Sequence, residues 1–203
     1  VNPFERLLTL IEEQPLSRSL PTALRVATTI GDEELVSWIR LELMGYVADN
    51  PAMREDVVVP EYRGVPGQWY DDYGRALMLS DPGLGFINEL RLRHGVAELE
   101  GIATGTGLLA IRAPEFSEII RESLKVHVTV FRFRPSSVSQ VLTNVRGRVL
   151  DKLASCRENI RDLPNGDVAP QPEVLELKPS FHGMTVDLKA LWRRLSGKIR
   201  GSV

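Results

Sequence analysis

The groupings of side chains able to support catalysis in this sequence are few, and each lacks the setting its chemistry requires. Glu176-Leu177-Lys178, with Asp167 upstream, has the residue types of a metal-dependent nuclease. Such a site needs carboxylates fixed on rigid strands to hold Mg²⁺ while a lysine assists the attacking water. Pro164, Pro170, Pro172 and Pro179 crowd this stretch, so no regular strand is expected to carry the carboxylates. Gly105-Thr106-Gly107-Leu108-Leu109-Ala110 fits the loose dinucleotide pattern. That pattern works only between a buried strand and a helix whose N-terminus receives the pyrophosphate. Pro114 follows closely and no Gly-Lys-Ser/Thr completes a phosphate-cradling loop, so a turn is expected. His94, His127 and His182 have no His, Cys or acidic neighbour at ligand spacing on the same predicted element. Cys156 falls on an apolar stripe and reads as a small core residue rather than a nucleophile. The residues therefore predict no catalytic group, no metal ligand and no cofactor.

Residues suited to binding are more numerous. Trp69-Tyr70-Asp71-Asp72-Tyr73 is an aromatic-acidic loop flanked by Gly67 and Gly74. Adjacent carboxylates point to opposite sides of a strand, which weakens a metal site. The rings either anchor a protein partner or pack beneath the loop. Arg146, Arg148, Lys152, Arg157 and Arg161 share one predicted helix, opposed by Asp151 and Glu158. A tail cluster adds Lys189, Arg193, Arg194, Lys198 and Arg200, with Trp192 among them. These faces either contact the phosphates of a nucleic acid, through Arg146, Arg148, Arg193 and Arg194 above all, or are solvated helix faces. With 25 basic and 27 acidic side chains the net charge is -2, so no whole-molecule attraction to nucleic acid is expected.

The elements that must position these groups follow from capping and periodicity. Asn2 with Pro3 starts a helix carrying Phe4, Leu7, Leu8 and Ile11, and Pro15 ends it. Ser19 is the predicted cap of a second helix, with Leu20, Leu24, Ala27 and Ile30 on its buried face. Gly31-Asp32 stops that helix and starts a third, which runs through Leu35, Ile39 and Leu43 to Gly45. Residues 47–85 are rich in Pro and Gly, with Val57–Val59 and Ala76–Leu79 as candidate strands. Phe86, Leu90, Val96 and Leu99 predict a helix over about 86–100, and Lys125–Arg134 alternates as a strand with a phase change at Phe131. Ser137-Val138-Ser139-Gln140 reads as a capping box ahead of a long stripe from Val138 to Ile160. A Pro-rich arm over 162–180 and a short helix over about 184–195 complete the pattern.

Hydrophobic residues at 43% and charged residues at 26% suit a chain that buries a core. One cysteine allows no intramolecular disulfide, no apolar run reaches the roughly 18 residues of a membrane span, and the N-terminus lacks a signal pattern. A cytoplasmic location, away from membranes, is the expectation.

Three segments then point to a family. Ser19-Leu20-Pro21-Thr22-Ala23-Leu24-Arg25-Val26-Ala27 is the first, and Gly31 to Trp38 running into Glu42-Leu43-Met44-Gly45-Tyr46 is the second. Pro60-Glu61-Tyr62-Arg63 is the third, and Val145 to Leu150 resembles a later helical element. In this order they resemble the AbiTii domain, a bacterial family associated with phage abortive infection; Met44 stands where the family commonly has Asn. The resemblance implies a defence role but brings no catalytic residues with it. It predicts an AbiTii-like domain over 1–161 and an appended arm over 162–203. The fold expected is α+β and mostly α: three N-terminal helices, a small irregular sheet, a long amphipathic helix and the arm. The leading function is a non-catalytic interaction or sensing module that binds a protein partner or itself. Tyr46, Tyr62, Arg63 and Trp69 are its candidate contacts, unless they instead pin the loop to the helices.

Overall fold

A computed structural model of the chain describes residues 2–79 and 82–161. Its architecture is α+β and mostly α, as expected, with seven α-helices and a four-stranded antiparallel sheet among the described residues. These residues divide into two compact units that cut across chain order: 2–55, 94–102 and 142–161 in the first, and 56–79, 82–93 and 103–141 in the second.

The first unit is helical. Helix α1 (Pro3–Glu13) is capped by Asn2, whose Oδ1 accepts the Phe4 N–H at 2.9 Å. Proline at the first helical position costs nothing there, because its missing N–H has no partner to lose. Helix α2 (Leu16–Thr29) starts earlier than Ser19, with Pro15 at its cap position and no capping side chain of its own. Its uncapped first turn is served from a distant segment: Glu100 accepts the Ser17 N–H at 3.3 Å and the Ser17 hydroxyl at 2.6 Å. A carboxylate at a helix N-terminus satisfies free donors and opposes the positive end of the helix dipole. Ser19 instead lies inside the first turns and donates its hydroxyl to the Pro15 carbonyl at 3.1 Å.

Gly31, at φ +73°, ends α2 in the left-handed conformation. Asp32 then caps α3 (Glu33–Met44), accepting the Leu35 N–H at 2.9 Å. Helices α2 and α3 pack together, burying Leu20, Ala23 and Val26 with Leu35, Val36 and Ile39. Gly45, at φ +86°, closes α3 where the sequence places its end.

The predicted helix over 86–100 is a correction. A 3-10 helix (Pro82–Asn88), strand β2 (Glu89–Arg91) and helix α4 (Val96–Ala103) occupy that region. Leu90 and Leu92 are both buried, a strand spacing that the coarser helical match concealed. The long helix α6 begins at Pro135, one turn before the box of serines, and runs to Ser155. Cys156 separates it from α7 (Arg157–Arg161). Most of the stripe is buried as read, at Val138, Val141, Val145, Val149, Leu153 and Ile160, while Leu142 and Cys156 are half-buried.

The second unit is built on the sheet, ordered β2-β1-β4-β3. Strand β1 is Gly64–Tyr70, β3 is Leu109–Ile111 and β4 is Val130–Phe133. Val57–Val59 forms no strand, and Ala76 makes only an isolated bridge to Tyr70. The real β1 runs through Gly64, Pro66 and Gly67, residues that read as breakers. Pro66 is tolerated because it stands opposite Glu89, one pair on from Val65–Leu90. The Leu92 N–H bond to the Arg63 carbonyl sets a phase in which position 66 needs no ladder bond to β2.

Lys125 is not a strand residue but the left-handed end, at φ +57°, of helix α5 (Pro114–Leu124), which the sequence did not reveal. The phase change now has a cause. Val128 is buried ahead of the strand, and pairing begins only at Val130, with Phe131 and Phe133 turned inward. One sheet face is a core of Val65, Trp69, Leu90, Ile111, Phe131 and Phe133. Helix α5 contributes Phe116, whose ring stacks on Trp69 at 5.0 Å. Among the described residues no helix is long and apolar enough to cross a membrane.

Candidate functional site: a projecting turn and an open sheet face

The four candidate contacts occupy different surroundings. Tyr46 is buried in the helical unit, where its hydroxyl donates to buried Glu42 at 2.7 Å. Beside it, Asn50 donates to the carbonyls of Gly45 (2.7 Å) and Arg40 (3.0 Å), closing the end of α3. Arg63 is fully buried in the sheet unit, and its Nε donates to the Leu92 carbonyl at 2.9 Å. Trp69 is also fully buried and donates from Nε1 to the Ile87 carbonyl at 3.0 Å. Only Tyr62 keeps a partly exposed side chain. Tyr46, Arg63 and Trp69 thus act as internal pins, and a partner cannot reach them while the fold stands. The segments that carry the family resemblance are fold signatures.

The basic face of α6 is likewise engaged inside the helical unit. Arg146 donates to the carbonyls of Ile11, Glu12 and Gln14 at the end of α1. That is a cationic cap, favourable at the negative end of a helix. Lys152 reaches Glu34 at 3.4 Å and lies over the Trp38 ring. Arg157 faces Glu5 at 3.7 Å and the Phe4 ring. Arg148 is exposed and has interactions of its own. Arg193, Arg194, Trp192 and the nuclease-like Asp167, Glu176 and Lys178 lie outside the described residues.

The aromatic-acidic loop sorts its residues by strand phase. Trp69 points into the core, whereas Tyr73 is 84% exposed at the tip of the turn that follows β1. Asp71 builds this turn: its Oδ1 accepts the N–H groups of Tyr73 (2.9 Å) and Arg75 (2.8 Å). Its Oδ2 accepts the Arg75 guanidinium at 2.7 Å, and that guanidinium also lies over the Tyr73 ring. The Arg75 N–H, with the guanidinium beside it, holds the Asp71 carboxyl below the usual carboxylate range. Asp72 reaches His127 at 3.2 Å on the surface. The returning chain bonds back through the Leu77 N–H to the Trp69 carbonyl and presents Met78, 80% exposed, beside Gln68. An Asx-type turn closed at three points thus displays a large aromatic and a flexible thioether to solvent.

The second sheet face is open. Its half-exposed residues are Gln68, Tyr70 and Arg132, and Ala110 opposite Arg132 is exposed. Arg132 lies over the Tyr70 ring, 4.5 Å from its centre. At one end a cleft of about 550 Å³ is lined by Gly105, Gly107, Leu108, Arg134, Ser136 and Ser139. The glycine pattern there is a turn with Gly107 at φ +82°, followed by β3 rather than by a phosphate-binding helix.

Cys156 is not wholly enclosed; its thiol donates to Asp32 at 3.3 Å and ties the end of α6 to the cap of α3. Burial, then the bond to Asp32, pushes the thiol pKa up. Cys156 should therefore react with a disulfide reagent at pH 8 far more slowly in the folded chain than in the urea-unfolded chain. Asp32→Asn should speed that reaction; equal rates for folded and unfolded wild type would remove the proposed bond. The Leu35 N–H, with smaller help from Cys156 and Lys152, lowers the Asp32 pKa from its ordinary 3.8. The sign follows: its stabilisation is complete above the unfolded value and fades as pH falls through the lower folded value.

A family model described as AbiTii matches residues 7–173. No curated protein and no solved structure gives a significant match.

Proposed function

The chain belongs to the AbiTii family, and from that premise we propose that it serves phage abortive infection as a non-catalytic interaction or sensing module. The observation that carries this reading is the turn fixed by Asp71, which displays Tyr73, with exposed Met78 on the chain that returns from it. An exposed aromatic on a rigid turn gives large contact area with little conformational entropy to lose, which is why tyrosine is favoured at binding hot spots. Methionine beside it adapts to irregular partner surfaces. The partner is a protein that the infected cell supplies or alters. This places the contact surface one turn beyond Trp69, on residues that the core leaves outside.

Tyr73→Ser with Met78→Ser should abolish partner recovery from phage-infected cells after nuclease treatment, a loss of about 2 kcal/mol or more per hot-spot side chain. Because both side chains are exposed, the thermal midpoint should stay within the small range of surface substitutions. Undiminished recovery by the double variant would remove the turn from the interface.

A further inference from the structure

The open sheet face has a chemistry distinct from the Tyr73 turn. Along β4 and β3 its positions alternate with the core: Arg132 stands opposite Gln68 on one side and Ala110 on the other. Arg134 and Arg112 extend the two strands in the same parity, and both are exposed. The strand carboxylate of this parity, Glu89, lies on β2 at the opposite edge of the sheet, beside Gly64. The β4–β3 half therefore carries three guanidinium groups, one of them stacked on Tyr70. Arg134 continues this surface into the cleft rimmed by Gly105, Gly107, Leu108 and the first turn of α6.

We propose that this half of the sheet, with the cleft at its end, binds single-stranded nucleic acid. The charge complementarity is local and set by strand phase, so the net charge of -2 does not oppose it. Tyr70, half-exposed and backed on one ring face by the Arg132 guanidinium, offers its other face to an unpaired base, while planar guanidiniums pair with phosphates along the strand. A duplex hides its base faces, so Tyr70 gives no such contact with it. The glycine turn leaves the cleft without side chains at Gly105 and Gly107, room for a backbone to lie against Arg134 and the hydroxyl of Ser136. On α6, by contrast, Arg146, Lys152 and Arg157 have internal partners within the helical unit.

The test uses the full chain and fluorescein-labelled oligo-dT and oligo-U of about 15 nucleotides, a length that covers one such site. Anisotropy should show binding whose log K falls with log salt at a slope of about -2, as three phosphate contacts on a single strand require. Arg112→Glu with Arg134→Glu should weaken it at least about tenfold, and Tyr70→Leu about fivefold or more. The milder pair Arg112→Gln with Arg134→Gln gives the same direction if charge reversal disturbs folding, and circular dichroism verifies each fold. Absence of wild-type binding at about 50 mM salt, full affinity in folded arginine variants, or equal competition by duplex DNA would each overturn the proposal.

Discussion

Trp69→Ala is expected to destabilise the protein by about 3–5 kcal/mol, a large fraction of the stability of an ordinary domain. The indole is fully buried and carries three distinct interactions. It stacks on Phe116 at 5.0 Å, meets Phe131 at 5.2 Å in a tilted pair, and donates to the Ile87 carbonyl at 3.0 Å. Alanine removes the ring that joins α5 to the sheet and leaves a buried carbonyl without its donor. Trp69→Phe separates the two effects, because it keeps an aromatic in the stack and loses only the N–H, at about 1–3 kcal/mol. Urea unfolding followed by circular dichroism measures both. A Trp69→Ala protein within about 1 kcal/mol of wild type would mean that this residue is not the centre of the sheet core.

Gly95→Ala should cost about 3 kcal/mol or more, for a purely steric reason. A Cβ at position 95 would lie 2.2 Å from the Leu43 carbonyl oxygen and 3.1 Å from its carbon. Both are backbone atoms near the end of α3, so no side chain can rotate to relieve the overlap. The residue leading into α4 must be glycine for α4 to approach α3. Gly147 is the internal control: it sits within α6, and a Cβ there meets nothing within 4 Å. Gly147→Ala should be neutral or should stabilise by up to about 1 kcal/mol through helix propensity and a less flexible unfolded chain. Equal midpoints for the two alanine variants would contradict the close approach at Gly95.

The sequence made legible what is decided within a few residues. Asn2, Gly31, Asp32 and Gly45 each cap or end a helix where their own chemistry places them. It concealed what distant segments supply. The N-terminus of α2 is capped by Glu100, far along the chain, whereas the local capping chemistry in the sequence points to Ser19. Strand β1 passes through Gly64, Pro66 and Gly67, and only its change of partner from β2 to β4 makes those residues acceptable.

The same distinction governs the candidate site. The segment Trp69–Tyr73 is legible as an aromatic-acidic loop whose rings either anchor a partner or pack beneath it, but which of its rings faces outward is not. That depends on the pairing phase of Trp69 with Phe131, which sends Trp69 to the core and leaves Tyr73 beyond the last paired residue. Asp71 ahead of Tyr73-Gly74 was the available signal, because aspartate there favours an Asx turn with a displayed tip. For Arg146 the basic helix face leaves phosphate contact and a solvated face as alternatives, and the bonds it makes to the end of α1 come from a segment far along the chain. The AbiTii segments are conspicuous for a related reason. Tyr46 with Glu42, and Arg63 with Leu92, are buried polar pairings that only particular residue types satisfy.

On the proposed function, the turn after β1 is the surface this protein offers to a partner. A photo-crosslinking amino acid placed at position 73, with position 147 on α6 as the exposed comparison, tests it in cells under phage infection. Position 73 is expected to give a discrete protein adduct that position 147 does not give and that nuclease leaves intact. Adducts from position 147 with none from position 73 would contradict it.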